Sequence, residues 1–162
     1  MIFLSQDLRE LVVADTLRYL GEWSPAAENL LLGTAIQESG MGFAMKSGRR
    51  LGLYHISPAA HRSVWDHYLI FHPEQASVVR GLAGQHSFVE NPHRELVTNL
   101  RYATAIAWYI YKKSGCTLPD PGDIQGLARI WQRHFHSQPT GRVADFVRNY
   151  LELADNIRHQ VA

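Results

Sequence analysis

Of the side chains in this sequence that could do chemistry, Glu38 has the most unusual setting. It closes the run Leu30-Leu31-Leu32-Gly33-Thr34-Ala35-Ile36-Gln37 and is followed by Ser39-Gly40. Residues three, four and seven positions earlier are Ala35, Thr34 and Leu31, so on a helix its side chain continues a mostly apolar stripe. The C-terminal end of a helix is the negative end of its dipole and opposes ionisation; desolvation pushes the same way. The expected result is an acid form that persists to high pH, which is what a general acid requires. The alternative is a solvated carboxylate at a helix end, just before a Ser-Gly stop.

The other reactive side chains give weaker patterns. There are 9 histidines and 1 cysteine. His134 and His136 stand two apart, and His67 and His72 flank a helix break. Neither a His-Glu-x-x-His pattern nor paired cysteines accompany them, so no metal and no cofactor is expected. Asp66 and Glu90 could serve as second carboxylates, but their spacing does not place either beside Glu38. Lys46, Arg49 and Arg50 cluster in a glycine-rich loop, where they are either solvated or in contact with an anionic group. A net charge of +1 and a pI near 8.0 give no bulk attraction to nucleic acid, and none is expected as a partner.

Several elements must position these groups. Ser5 can cap a first helix whose face would be Leu8, Leu11, Val12 and Leu20, with Gly21 as its stop. Ser24-Pro25 opens the helix that ends at Glu38 to Gly40. Gly40, Gly42 and Gly48 make the stretch to Leu51 an irregular loop or a small hairpin. Gly52-Leu53-Tyr54-His55-Ile56 reads as the one extended segment.

Ser57-Pro58 starts a helix through Ala60, Val64, Trp65 and Leu69, and His72-Pro73 starts another through Ala76, Val79 and Leu82. Asn91-Pro92 opens the longest expected helix, running through Leu96, Leu100, Ala103, Ala107 and Ile110 to Gly115. Its density of small and apolar residues makes it the expected central, buried helix. After the turn at residues 118–122 comes a helix with Leu127, Ala128, Ile130 and Trp131. The last carries Val143, Phe146, Val147, Tyr150, Leu151 and Ala154.

With 162 residues, 46% of them hydrophobic, the chain suits one mainly α domain over residues 1–162. No apolar run approaches a membrane span, and the start Met1-Ile2-Phe3-Leu4 lacks the basic flank of a signal peptide. A single cysteine needs no oxidising compartment.

Glu38-Ser39-Gly40, followed by Gly52 to Ile56 and by the Leu127–His136 helix, resembles the lysozyme-like fold. The nearest branch is the goose-type lysozymes and soluble lytic transglycosylases. A tighter resemblance is to short virion proteins of tailed bacteriophages. It rests on Gly52 to His61, Trp65-Asp66, Tyr68-Leu69, Asn99 to Ala105, Trp131 to His136, and Thr140-Gly141 with Phe146.

The resemblance implies a peptidoglycan glycosidase in which Glu38 is the acid and then the base, with the sugar's N-acetyl group assisting. It implies a substrate-binding set of Ser39, Tyr54, His55, Trp131, Phe135 and His136. The implied partners are the glycan strand and other phage virion proteins, in a protein made in the host cytoplasm and carried in the virion. By their positions alone, Tyr54 and Trp131 suit the core better than a sugar face. A neutral His55 could bind the N-acetyl group, whereas a protonated one would spoil the acid. The family usually has glutamine at His55 and Tyr-Asn at Phe135-His136. Those departures support an alternative, a structural virion component that keeps a degenerate, inactive lysozyme-like fold.

Overall fold

The computed structural model describes residues 5–135 and 141–161 of a mainly helical chain whose sheet, among the described residues, has two strands. Helix α1 begins at Ser5–Asp7, widens into a π-helix over Leu8–Ala14, and returns to α geometry over Asp15–Tyr19. The widening changes the buried face. Leu8, Val13 and Leu17 enter the core at intervals of five and then four, while Leu11 is 68% exposed. Of the expected face, Leu8 is buried and Val12 and Leu20 pack against the core, but Leu11 is corrected: an i→i+5 turn adds a residue and rotates it outward. Gly21 ends the helix at φ 71°.

Helix α2 (Pro25–Ser39) forms where expected. The Ser24 Oγ accepts the Ala27 N–H at 3.0 Å, Pro25 takes the first helical position, and Gly40 closes the helix at φ 61°. Residues Leu30 to Ala35 are all buried, so α2 has no polar face at its centre. Gly33 is required by packing. A Cβ there would lie 2.3 Å from the Phe146 ring, and that contact offsets the roughly 1 kcal/mol by which glycine is a poorer helix former than alanine.

The glycine-rich loop is a hairpin. Strands β1 (Lys46–Ser47) and β2 (Arg50–Leu51) pair antiparallel, Lys46 with Leu51 and Ser47 with Arg50. Gly52 to Ile56 is not the expected strand but a tight turn closed by a Leu51–Ile56 bridge. A strand would send alternate side chains to opposite faces. Here Leu53, Tyr54 and Ile56 all enter the core. Gly52 permits the turn: its φ is 79°, and a Cβ would sit 1.8 Å from the Leu96 carbonyl oxygen.

Helix α3 (Pro58–His67) is capped by Ser57, whose Oγ accepts the Ala60 N–H. Leu69 lies in a separate 3-10 turn, Leu69–Phe71. Helix α4 (Pro73–Leu82) follows, then α5 (Gln85–Glu90), which the sequence reading did not anticipate.

The single helix expected from Asn91 to Gly115 is broken. It becomes a 3-10 turn (Pro92–Arg94), α6 (Glu95–Thr98) and α7 (Leu100–Ser114). Asn99 makes the break. Its Oδ1 accepts the Tyr102 N–H, while its Nδ2 donates to the Leu82 carbonyl and to Glu95. Helix α7 is the central element, with every residue from Tyr102 to Tyr111 buried.

Helix α8 (Ile124–Ile130), capped by Asp123, continues as a π-helix over Trp131–Phe135. Helix α9 (Val143–Val161), the longest among the described residues, packs on α2 and α8. Phe146, Tyr150 and Leu153 make its buried face. Leu151, expected in that stripe, falls off its edge and is 48% exposed. Among the described residues, no helix is long and apolar enough to cross a membrane.

Candidate active site around Glu38

Three separate segments meet at the Glu38 carboxylate. The Trp131 indole Nε1–H donates to Oε1 at 3.0 Å, across 93 residues of sequence. Arg50 brings Nη1 to 3.4 Å from Oε2, and His55 brings Nδ1 to 3.9 Å from the same oxygen. The Glu38 side chain is 5% exposed and that of Arg50 27%, so the carboxylate is nearly buried while the guanidinium still reaches solvent.

Local structure explains each placement. The helix end is turned back by Gly40, Met41 and Gly42, all at positive φ. Ser39 holds that turn: its Oγ accepts the Gly42 N–H at 2.9 Å and lies 2.5 Å from the Leu53 carbonyl oxygen. The hairpin then delivers Arg50, and the Gly52–Ile56 turn delivers His55. His55 sits at φ 49°, an uncommon conformation for a residue with a side chain. Its Nε2 is 2.5 Å from the Ala44 carbonyl oxygen, which can only accept, so Nε2 carries the proton and Nδ1 faces Glu38. Trp131 begins the π-helical turn after α8, with its ring 5.5 Å from that of Phe146.

The expected residues are thus divided. Glu38, His55 and Trp131 come together. Ser39 is 3% exposed, and its hydroxyl is used to join the helix end to two turns. Tyr54 is fully buried, with its hydroxyl 2.8 Å from that of Thr104, so it has no face for a sugar. Burial raises its pKa well above the ordinary tyrosine range, against the smaller effect of the Thr104 hydrogen bond. Trp131 is 1% exposed, so its expected stacking role is also corrected. Its polar edge serves Glu38 while its ring fills the core, because burying so large an apolar surface outweighs exposing it. Phe135 is half-buried and stacks on Tyr111 at 5.2 Å. His136 lies outside the described residues.

Two groups had no clear signal in the sequence. Arg50 read as one of three loop cations, and only the hairpin turns it toward Glu38. Tyr111, in the last turn of α7, lies close to the site with its hydroxyl 2.7 Å from that of Thr34. Its hydroxyl pKa is raised well above the usual range, by burial first, with the Glu38 charge adding to the effect.

Among the described residues no group of three or more His, Cys, Asp or Glu side chains could hold a metal ion. No protein-family model, curated protein or solved structure matches this chain. The site's chemical capacity therefore rests on its own geometry. One carboxylate has Oε1 fixed by an indole N–H and Oε2 turned toward a cation and an imidazole. Such a group has the parts for proton exchange with a ligand that reaches it.

Proposed function

We propose that this protein is a virion-associated, lysozyme-like enzyme of a bacteriophage. It cleaves the bond between N-acetylmuramic acid and N-acetylglucosamine in peptidoglycan. The observation that carries this reading is the convergence on Glu38. The segments that meet there, at Glu38-Ser39-Gly40, at Gly52 to Ile56 and at Trp131, are those on which the lysozyme-like resemblance rests. In this mechanism Oε2 of Glu38 gives its proton to the glycosidic oxygen while the substrate's N-acetyl group assists at the sugar carbon. The carboxylate then takes a proton from the incoming hydroxyl. The Trp131 N–H holds Oε1 so that the reacting oxygen keeps one orientation. Other virion proteins would position the enzyme at the wall during DNA entry.

A second reading is favoured by the burial of Tyr54 and Trp131, which leaves neither ring available to a sugar. In it the protein is a structural virion component that keeps a lysozyme-like fold without turnover. One experiment separates them. Purified protein and its Glu38→Gln variant are added to isolated sacculi, and released muropeptides are analysed by mass. Release by the native protein alone supports the enzyme, and the product masses distinguish a reducing from an anhydro end. No release from either folded protein supports the structural component.

A further inference from the structure

A second polar cluster lies where α3, the Pro92–Arg94 turn and α7 meet. His61, 2% exposed, has Nδ1 2.9 Å from Nδ1 of His93 and Nε2 2.6 Å from the Tyr102 hydroxyl. The Trp65 Nε1–H donates to the same hydroxyl at 2.9 Å. The two imidazoles meet edge to face, with centroids 5.0 Å apart. A cavity of about 220 Å³ lined by His61, Arg62, Trp65, Asp66, Phe88 and His93 gives water a way in.

The separation decides what the pair is. Two nitrogens on one tetrahedral zinc stand roughly 3.3 Å apart at ordinary bond lengths, whereas 2.9 Å is a hydrogen-bond distance. The Arg62 guanidinium, 3.4 Å from Nε2 of His93, also opposes a metal cation. A bridge between two Nδ1 atoms needs one proton and one lone pair. The Arg62 guanidinium can only donate, so in neutral His93 Nε2 carries the lone pair and Nδ1 the single proton between the rings, which His61 Nδ1 accepts while its Nε2–H donates to the Tyr102 hydroxyl. Two protons there would set N–H against N–H and put two positive rings beside Arg62. Nearby negative charge gives little relief. Asp66 sits on the exposed rim, and Glu95, which with Arg80 acts on the Tyr102 hydroxyl, is already committed to Ser87, Asn99 and Gly84.

Besides this pair the segment has a few anchors, among them the Ser87 hydroxyl donating to Glu95 and the Arg80 guanidinium 4.2 Å from the centre of the Phe88 ring. Helix α5 contains no fully buried residue. Its Phe88 ring rests edge-on against Trp65 and Tyr102, at 6.0 and 5.9 Å. We propose that residues 85–94 form an acid-released flap whose latch is the His61–His93 hydrogen bond. Neutral rings close it, and protonation of both opens it and uncovers Trp65, Phe88 and Tyr102.

The titration behaviour agrees with the geometry. Burial pushes His61 down to about 4, helped by His93 and Arg62, and burial lowers His93 as well. Both histidines are therefore neutral when closed and take protons more readily when open, near the ordinary value of 6.5. The latch is at full strength above about pH 6.5 and loses strength as pH falls toward the closed-state values.

Hydrogen exchange, corrected for the intrinsic pH dependence of amide exchange, tests this on the whole protein. Protection of amides 85–94 should fall roughly 10-fold or more from pH 6.5 to 5.5, at least one proton's worth, while α7 keeps its protection. The His93→Gln variant removes one of the two titrating rings, so the step should shrink to the His61 share or less. Equal protection of the segment at both pH values, an equal loss in α7, or an unchanged step in the variant would overturn the proposal. Should the variant not fold, imidazole ¹⁵N spectra of the native protein decide. One bridging proton at pH 7 with both rings titrating below 6.5 supports the latch, and ordinary titration of both rings near 6.5 refutes it.

Discussion

Two buried glutamates, Glu95 and Glu38, resemble each other in little but burial. Glu95 begins α6, is 2% exposed, and draws its donors from nearby in sequence. The Ser87 hydroxyl donates to it at 2.6 Å, the Asn99 amide at 2.8 Å and the Gly84 N–H at 3.3 Å, all within 11 residues. Burial works to raise its pKa, but those hydrogen bonds and Arg80 outweigh it, and the carboxyl ends below its usual range. Glu38 ends a helix instead of starting one, and its partners include a guanidinium 12 residues away and an indole 93 residues away. A structural carboxylate is satisfied by the turn it stabilises. A carboxylate placed against the helix dipole and met by groups from distant segments has no such local reason, which makes it the better candidate for chemistry.

The contrast can be broken most directly at Glu38. If the enzyme reading holds, Glu38→Gln lowers muropeptide release by at least about 100-fold, with a melting temperature close to that of the native protein. A variant that keeps its activity would remove the distinction between the two glutamates. Gly52→Ala tests the turn that carries His55 past Glu38. A Cβ at φ 79°, driven into the Leu96 carbonyl, should cost more than about 3 kcal/mol in urea unfolding.

At the structural glutamate, Glu95→Ala leaves three donors without their acceptor. It should cost roughly 2–3 kcal/mol in the same measurement, with no change in cleavage chemistry by the protein that remains folded. Glu95 also has a pH signature. Its folded pKa lies below the ordinary 4.5, so its stabilisation is full above that value and is lost as pH falls through the folded value. Comparing urea midpoints of native protein and Glu95→Gln from pH 7 to pH 3 should show the gap closing at the acid end. The smallest effect is expected from Trp131→Phe, which keeps one buried aromatic ring and removes the pyrrole half of the indole with its N–H to Glu38. A loss of about 1 kcal/mol in stability is expected, with cleavage reduced more than that loss explains.

At five helix ends a local signal in the sequence agrees with the structure. Ser24-Pro25, Ser57-Pro58, Gly21, Gly40 and Gly115 each have a short-range physical reason to start or stop a helix, and each does so. The failures lie where a distant residue outweighs a local preference. The Gly52–Ile56 stretch looks like a strand by composition, yet it folds as a turn because Leu53, Tyr54 and Ile56 all have core positions to fill. The helix expected from Asn91 to Gly115 breaks because the Asn99 side chain can bond both to its own next turn and to the Leu82 carbonyl. Leu11 turned outward because α1 widened, and periodicity of 3.6 carries no sign of such a widening.

At the candidate site, the setting of Glu38 is already written in the order of residues: an apolar helix, its last turn, and a glycine-rich reversal after it. These follow from side-chain spacing and backbone freedom, which act over a few residues. Which groups touch the carboxylate depends on long-range packing. Arg50 reaches it through a hairpin, His55 through a turn that Gly52 permits, and Trp131 from a helix 93 residues on. The same packing turned Tyr54 and Trp131 inward, because filling a core is a property of the whole chain and no short stretch encodes it.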